Sequence, residues 1–232
     1  AWAAGIHALL PSPGLGAARV SHATVTSSAG IDETLRRGRD AGAVWAAVPP
    51  VERAAALRRL ADEIEAGRTA LVAVAADEVG KLVDQADVEV SEAVDFARYY
   101  AERATDRIDG ARHVPPGLTV VAPPWNFPIT IPLGGVAAAL AAGSAVILKP
   151  APPARRTASL LAEACDRAGL PPGVVQFVVV DDGPLGESLL SDRRVELVIL
   201  TGAAETASLF RSWRPSMPLL AETSGKNAIV VT

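Results

Sequence analysis

Cysteine is almost absent from this sequence: Cys165 is the only one among 232 residues. A single cysteine excludes a disulfide framework and a cysteine-rich metal site, and it suits a reducing, cytoplasmic setting. Histidine is scarce as well. His7, His22 and His113 lie far apart in the chain, so a histidine-based metal site has little to build on, and no metal is expected. Basic charge is not in excess, with 22 Lys+Arg against 26 Asp+Glu and a net charge of −4. That balance argues against a nucleic-acid partner, which requires a basic face. The two signs are mixed along the chain, so neither a polybasic nor an acidic tail exists. Lysine is rare, 3 against 19 arginines, which we attribute to coding bias, as we do the abundant alanine. What is plentiful is apolar content. Hydrophobic residues make up 50% and charged residues 21%, a globular profile long enough for a real core and not that of a disordered chain.

The longest gap in charge runs from Val114 to Leu148, where no Asp, Glu, Lys or Arg occurs. A spanning helix needs about 20 apolar residues without interruption. Here Pro115, Pro116, Pro123, Pro124, Pro128 and Pro132 punctuate the first half. The remainder, Leu133 to Ala142, is a short helix of Ala and Gly running into a strand. The segment is therefore expected to be buried inside the protein and not inserted stably in a membrane. Ala1 to Leu10 is apolar but has no basic start and no following cleavage site, so no signal peptide is expected. The chain opens on Ala and stops at Ala228 to Thr232 within an apparent strand. It is expected to be a piece of a longer polypeptide.

Residues 1–30 carry turn signals at Pro11, Pro13, Gly14 and Gly16 and a polar, β-branched run over Ser21–Ser28. They are expected to form a linker with at most one short strand. From Ile31 to about Thr105 the pattern is helical. Asp32 is a candidate N-cap for a helix ending near Trp45, and Pro49-Pro50 precede a helix over Val51–Ala66. In that helix Leu57, Leu60 and Ile64 share a face. Further helices are predicted over Thr69–Val79 and Val88–Ala104, the latter with Val90, Val94, Ala97 and Ala101 as its apolar stripe. The rest alternates. Strands are predicted at 118–122, 145–148, 174–180, 195–200 and 218–221. Helices are predicted at 154–168, 185–190 and 203–213. Short apolar strands separated by helices make a parallel sheet with helices on both faces. The predicted fold is α/β, a doubly wound, mostly parallel, Rossmann-like sheet with an N-terminal helical layer. Its divisions are 1–30 as irregular linker, 31–110 as helical layer and 111–232 as the Rossmann-like portion. No internal repeat and no Gly-x-Gly-x-x-Gly occur.

Open parallel sheets bind ligands at the carboxyl ends of their strands, which singles out a few residues. Lys149 follows Val146-Ile147-Leu148. It is either a solvated charge or a donor to a ribose or phosphate oxygen. Asp181-Asp182-Gly183-Pro184 end the next strand. Thr201-Gly202 precede a helix, and they form either an ordinary turn with a Thr N-cap or a pyrophosphate site at the helix N-terminus. Asn126 sits between Trp125 and Phe127 in a proline-rich loop. Its amide either satisfies backbone in the turn or donates to a developing oxyanion. Glu222 closes the run Met217–Ala221 and is either a cap or ion-pair partner or a general base. Cys165 lies mid-helix with Leu161 on the same face, so it is expected to be a buried packing residue and not a nucleophile.

Together these segments resemble the aldehyde dehydrogenase superfamily. The resemblance is carried by Pro124-Trp125-Asn126-Phe127-Pro128, by Gly134-Gly135-Val136 through Ala141-Ala142-Gly143, by Val146-Ile147-Leu148-Lys149-Pro150 and by Leu200-Thr201-Gly202. Ala221-Glu222-Thr223-Ser224-Gly225-Lys226-Asn227-Ala228 resembles a variant glutamate motif. With Glu89 to Phe96 and Leu209 to Pro215, it points toward the glutamate-γ-semialdehyde (1-pyrroline-5-carboxylate) dehydrogenase module of bifunctional proline-utilisation enzymes. The resemblance spans about Ile31 to Thr232.

The resemblance implies NAD-dependent oxidation of an aldehyde to an acid, with glutamate γ-semialdehyde as substrate and glutamate as product. It implies that Asn126 is the oxyanion donor and Glu222 the base that activates hydrolytic water. Lys149 would hold the adenosine ribose, and Pro124 and Trp125 would line the cofactor cleft. Gly183 and Pro184 would lie beside adenine, with Thr201 and Gly202 near the pyrophosphate and nicotinamide. It further implies a homo-oligomer and admits covalent fusion to a proline dehydrogenase module. Three departures stand out. The acid often found three residues after the lysine is Pro152 here, with Arg155 and Arg156 nearby, so NADP stays open beside NAD. The serine after Thr-Gly is Ala203. The nucleophilic cysteine would lie beyond the glutamate motif and outside this chain, so the chain is the cofactor-binding part without the cysteine-bearing domain. It is expected to be inactive alone. The alternative reading is a non-catalytic nucleotide-binding or interaction module that keeps the fold.

Overall fold

The computed structural model describes residues 12–106, 109–225 and 228–231. Five parallel strands form one sheet in the order β3-β2-β1-β4-β5. They are β1 Leu118–Ala122, β2 Ala145–Leu148, β3 Val175–Phe177, β4 Leu197–Gly202 and β5 Leu219–Thr223. The chain winds outward from β1 to β3 on one side, then crosses to β4 and β5 on the other. The switch point therefore lies between the carboxyl ends of β1 and β4, where open sheets leave a crevice.

Both faces of the sheet are covered. Along β1 and β2 successive side chains point to opposite faces. Val121, Val146 and Leu148 join one buried cluster, while Leu118, Val120, Ala145 and Ile147 join the other. Burial on both faces explains why these strands read as unbroken apolar runs. On the first face lie α6 Thr130–Ala142 and α7 Arg155–Arg167, with an outer layer of α3 Pro50–Ala66, α4 Arg68–Val79 and α5 Val83–Arg103. The other face packs α2 Ser28–Ala47, α8 Pro184–Ser191 and α9 Ala204–Trp213. The predicted α/β sheet with an N-terminal helical layer is the observed architecture.

The uncharged segment is explained by α6. This helix is held between β1 and α5, and its glycines permit the approach. A Cβ at Gly135 would stand 2.8 Å from Val121 Cγ1, and one at Gly134 would stand 3.1 Å from Phe96. A helix so enclosed cannot send its terminal polar groups to water. Side chains of the helical layer serve instead. Glu89 accepts the N–H groups of Ile129 and Thr130 at 3.0 and 3.3 Å. At the other end Trp45 Nε1 and Arg53 Nε donate to the carbonyls of Leu140 and Ala141 at 2.9 and 3.2 Å. The same device repeats at α7, where Glu78 accepts the N–H groups of Arg156 and Thr157 at 2.6 and 2.8 Å. Among the described residues, no helix is long and apolar enough to cross a membrane.

Several boundaries differ from expectation. The first long helix is capped not by Asp32 but by Ser27, whose hydroxyl accepts the Gly30 N–H at 3.2 Å. The helix before the sheet starts at Val83, not Val88. α6 begins at Thr130, because Pro132 falls in its first turn, where a missing N–H costs nothing. Residues 12–30 are not a linker. They hold α1 Ala17–His22 and the start of α2. They also pair with the sheet edge through Thr24 and Val179. Val25 N–H donates to Val179 and Val179 N–H to Ala23, both at 2.9 Å. β3 is correspondingly shorter than 174–180, since Val179 pairs with this segment after β2 has ended. Residues 228–231 form no strand and are exposed; no strand pairs with them among the described residues. Residues 1–11, 107–108, Lys226, Asn227 and Thr232 lie outside the described residues, and with them His7, the Ala1–Leu10 stretch and part of the glutamate motif.

Candidate functional site

The crevice at the switch point is a cleft of about 690 Å³. β1 delivers the loop Pro123–Phe127, β2 delivers Lys149 to Pro152, β4 delivers Thr201 to Ala203, and β5 delivers Glu222 to Ser224. The structure thus brings Pro124, Trp125, Asn126, Lys149, Thr201, Gly202 and Glu222 to one wall-to-wall site. Gly183 and Pro184 stand just off its lining, at the start of α8, and Asp182 occupies the wall in their place.

Lys149 is not a solvated charge. It is only 5% exposed, its backbone N–H donates to Val121 at 2.9 Å, and its Nζ donates to Asp182 Oδ1 at 2.7 Å. A buried ammonium needs such a partner. The arginines that follow are already engaged. Arg155 pairs with Asp181. Arg156 donates to Asp77 at 2.8 Å and to the Ser12 carbonyl at 2.6 Å.

The turn after β4 lacks the expected Thr N-cap. Ala203 is the N-cap of α9, and no side chain bonds to that helix's leading N–H groups. Ala203 and Thr206 line the cleft, so the partial positive charge of the helix start faces it.

Trp125, Asn126 and Phe127 are exposed on the loop after β1. Among the described residues the Asn126 side chain makes no hydrogen bond, so its amide is not spent on the turn. The loop is instead held through the backbone. Lys81 Nζ donates to the Asn126 carbonyl at 2.8 Å and lies 4.1 Å from the centre of the Phe127 ring. The same ammonium is 2.5 Å from Glu89 Oε1. Among the described residues that oxygen has no other polar partner. Glu89 therefore ties the start of α6 to the loop that carries Asn126.

Glu222 pairs in register beside Thr201 on the neighbouring strand. It was expected at the end of a buried run, yet it is exposed. β5 is the edge of the sheet, and no described element covers it. Among the described residues Glu222 forms no ion pair and caps no helix.

Cys165 is buried in the α7 core, 2% exposed, and burial pushes its thiol up to about 12. It packs as expected and does not line the cleft. Among the described residues no group of acidic, cysteine or histidine side chains is placed to hold a metal. A second groove, about 530 Å³, lies at the opposite end of β3 between α2 and residues 171–177. Its two guanidinium groups are committed, Arg37 to Gln176 at 2.7 Å and Arg19 to Asp166 at 2.6 Å, so it lacks the convergent free polar groups of the cleft.

Lys81 and Glu89 were missed as site residues from sequence. One signal existed for Lys81, which is one of three lysines in an arginine-rich chain and follows Gly80. Nothing in the sequence shows that it reaches a loop 45 residues away.

A doubly wound parallel sheet with a cleft at its switch point defines an open α/β class of fold whose ligands bind at the carboxyl ends of the strands. Residues 7–232 match the model of the aldehyde dehydrogenase family, and the chain belongs to that family. It is 39% identical over 221 residues to the bifunctional protein PutA of Klebsiella aerogenes, covering 91% of this chain and 17% of that protein. It is 30% identical over 220 residues to 1-pyrroline-5-carboxylate dehydrogenase 2 of Bacillus subtilis, covering 86% of this chain and 43% of that protein. The solved structure of proline utilization A from Corynebacterium freiburgense superposes with a TM-score of 0.79 at 46% identity, covering 88% of this chain and 21% of that one. The chain thus spans less than half the length of these relatives.

Proposed function

We propose that this chain supplies the nicotinamide dinucleotide-binding part of an enzyme that oxidises an aldehyde to a carboxylic acid. Our choice of substrate is L-glutamate γ-semialdehyde, with glutamate as product, and of cofactor NAD. The observation that carries the reading is the convergence of Lys149, the uncapped start of α9, Asn126 and Glu222 on one cleft at the switch point. The similarity to 1-pyrroline-5-carboxylate dehydrogenase 2 and to PutA supports the substrate.

The donor set suits a dinucleotide. Lys149 is a fixed cation for ribose oxygens, and the α9 start with Thr201 and Gly202 suits a pyrophosphate. Trp125 and Pro124 offer flat apolar surface. A nicotinamide dinucleotide bound there supplies the hydride acceptor. The remaining chemistry falls to side chains. Asn126 is free to donate to the oxygen that gains charge as the carbonyl becomes tetrahedral. Glu222, which lines the same cleft, takes a proton from the water that releases the acid in this reading. The covalent step needs a thiolate. Cys165, the sole cysteine, is buried elsewhere, so this chain by itself is not expected to turn over. We place it, residues 31–110 with 111–232, in a larger cytoplasmic, homo-oligomeric polypeptide that also carries a proline dehydrogenase module.

Calorimetric titration of the purified protein with NAD⁺ and NADP⁺ tests the reading. Saturable binding that Lys149→Ala abolishes supports it. No binding of either dinucleotide to a protein shown to be folded by circular dichroism overturns it, and leaves the non-catalytic module.

A further inference from the structure

We propose that Asp182 selects the dinucleotide, favouring one whose adenosine ribose carries a free 2′-hydroxyl over one that is 2′-phosphorylated. The inference rests on the reading of the cleft as a dinucleotide site. In doubly wound folds a carboxylate at a strand end accepts from the ribose hydroxyl, whereas a nearby arginine accommodates a 2′-phosphate. This chain offers no acid on the segment after Lys149, where Pro150 and Pro152 line the cleft. The next strand supplies one. Asp182 lines the same cleft as Lys149, and only its Oδ1 is engaged, by Lys149 Nζ at 2.7 Å. Among the described residues its second oxygen has no hydrogen-bond donor, and the side chain keeps 42% exposure. A buried cation and a half-exposed carboxylate side by side present a donor and an acceptor, which match adjacent hydroxyls of a ribose.

A 2′-phosphate finds the opposite. The carboxylate repels it, and the cations in reach are already paired. Arg155 is held by Asp181, and Arg156 by Asp77 and the Ser12 carbonyl, with Glu78 alongside at 3.8 Å. Lys149 alone is not a free counter-charge, because its Asp182 partner neutralises it. Two arginines close in sequence to the site thus contribute no phosphate pocket.

The test is calorimetric affinity for NAD⁺ and NADP⁺ in the parent protein and in Asp182→Asn and Asp182→Glu, each checked for folding by circular dichroism. We expect the parent to favour NAD⁺ by on the order of 10- to 100-fold, the usual effect of a like charge placed against a ligand's phosphate. Asp182→Asn should bring that ratio to within about threefold, mainly by tightening NADP⁺, while Asp182→Glu keeps the preference for NAD⁺. An unchanged ratio in Asp182→Asn, with NAD⁺ still bound, overturns the role of Asp182 and leaves the cofactor reading standing. Equal or tighter NADP⁺ binding by the parent also overturns it. Binding of neither dinucleotide by the parent overturns both.

Discussion

Removal of the Glu89 carboxylate should be among the most costly single changes this fold can suffer. Glu89 is 2% exposed. Glu89→Ala takes the acceptor away from the N–H groups of Ile129 and Thr130, which lie 3.0 and 3.3 Å from it. It also strands Lys81, whose side chain is 12% exposed and 2.5 Å from the carboxylate. Hydrogen bonds to a charged group are worth roughly 1.5–3 kcal/mol each, and breaking a buried ion pair from one side costs about 3–5 kcal/mol. The two figures count much the same loss, so about 3–5 kcal/mol is expected for Glu89→Ala. Glu89→Gln keeps an oxygen for the helix start but turns an amide toward an ammonium, and should cost about 1–3 kcal/mol. The double variant Lys81→Met, Glu89→Gln removes the stranded cation and should recover part of that loss, with a coupling of roughly 0.5–3 kcal/mol. Urea unfolding followed by circular dichroism reads all three as shifts in midpoint at constant slope. A loss of less than about 0.5 kcal/mol in Glu89→Ala, the range of ordinary surface changes, would refute the reasoning.

Asn126→Ala should leave stability within about 0.5 kcal/mol, since its side chain bonds nothing described, yet lower turnover of the full-length polypeptide by roughly 10²–10³. Unchanged turnover removes Asn126 from the chemistry. Cys165, with its thiol pushed up to about 12 by burial, should resist a thiol reagent at neutral pH in the native protein and react once urea unfolds it. Prompt labelling without denaturant would show that the α7 core is not packed as described. A hydrogen bond from Arg194 holds the Asp192 carboxyl below its ordinary value of 3.8. A depressed carboxylate contributes stability above its unfolded value and loses it as pH falls through the folded one. Asp192→Asn should therefore lower stability at neutral pH and flatten the acid limb of the stability profile below about pH 4. An acid limb identical to the parent's would sink this. Gly42→Ala should destabilise strongly or prevent folding, because its Cβ would fall 1.9 Å from the Gly117 carbonyl oxygen. A midpoint unchanged within error would contradict that contact.

The sequence carries the α/β class and the existence of five strands, most sharply where a parallel strand is fully buried and so is short, β-branched and uncharged. Leu118–Ala122 and Ala145–Leu148 are readable to the residue for that reason. It also determined that Cys165 packs in a core, since helical spacing sets it on the face of Leu161. The cleft residues were legible because the carboxyl ends of parallel strands are where ligands bind, so Lys149 and Thr201-Gly202 stood out by position alone. What those residues touch depends on how distant elements pack. The cap of the first long helix is settled by which hydroxyl reaches Gly30, a choice between Ser27 and Asp32 that local pattern leaves open. That residues 12–30 belong to the sheet edge depends on Val179, far along the chain. Glu222 is exposed because β5 is an edge strand, and strand order is not written in any single strand's pattern. Above all, the pairing of Lys149 with Asp182 joins residues 33 positions apart, the hold of Glu89 on the start of α6 spans 40, and that of Lys81 on the Asn126 loop spans 45. Helical and strand periodicity report only which face a side chain takes. Which charge it meets there is fixed by packing, because a buried charge must find its partner wherever the fold brings one.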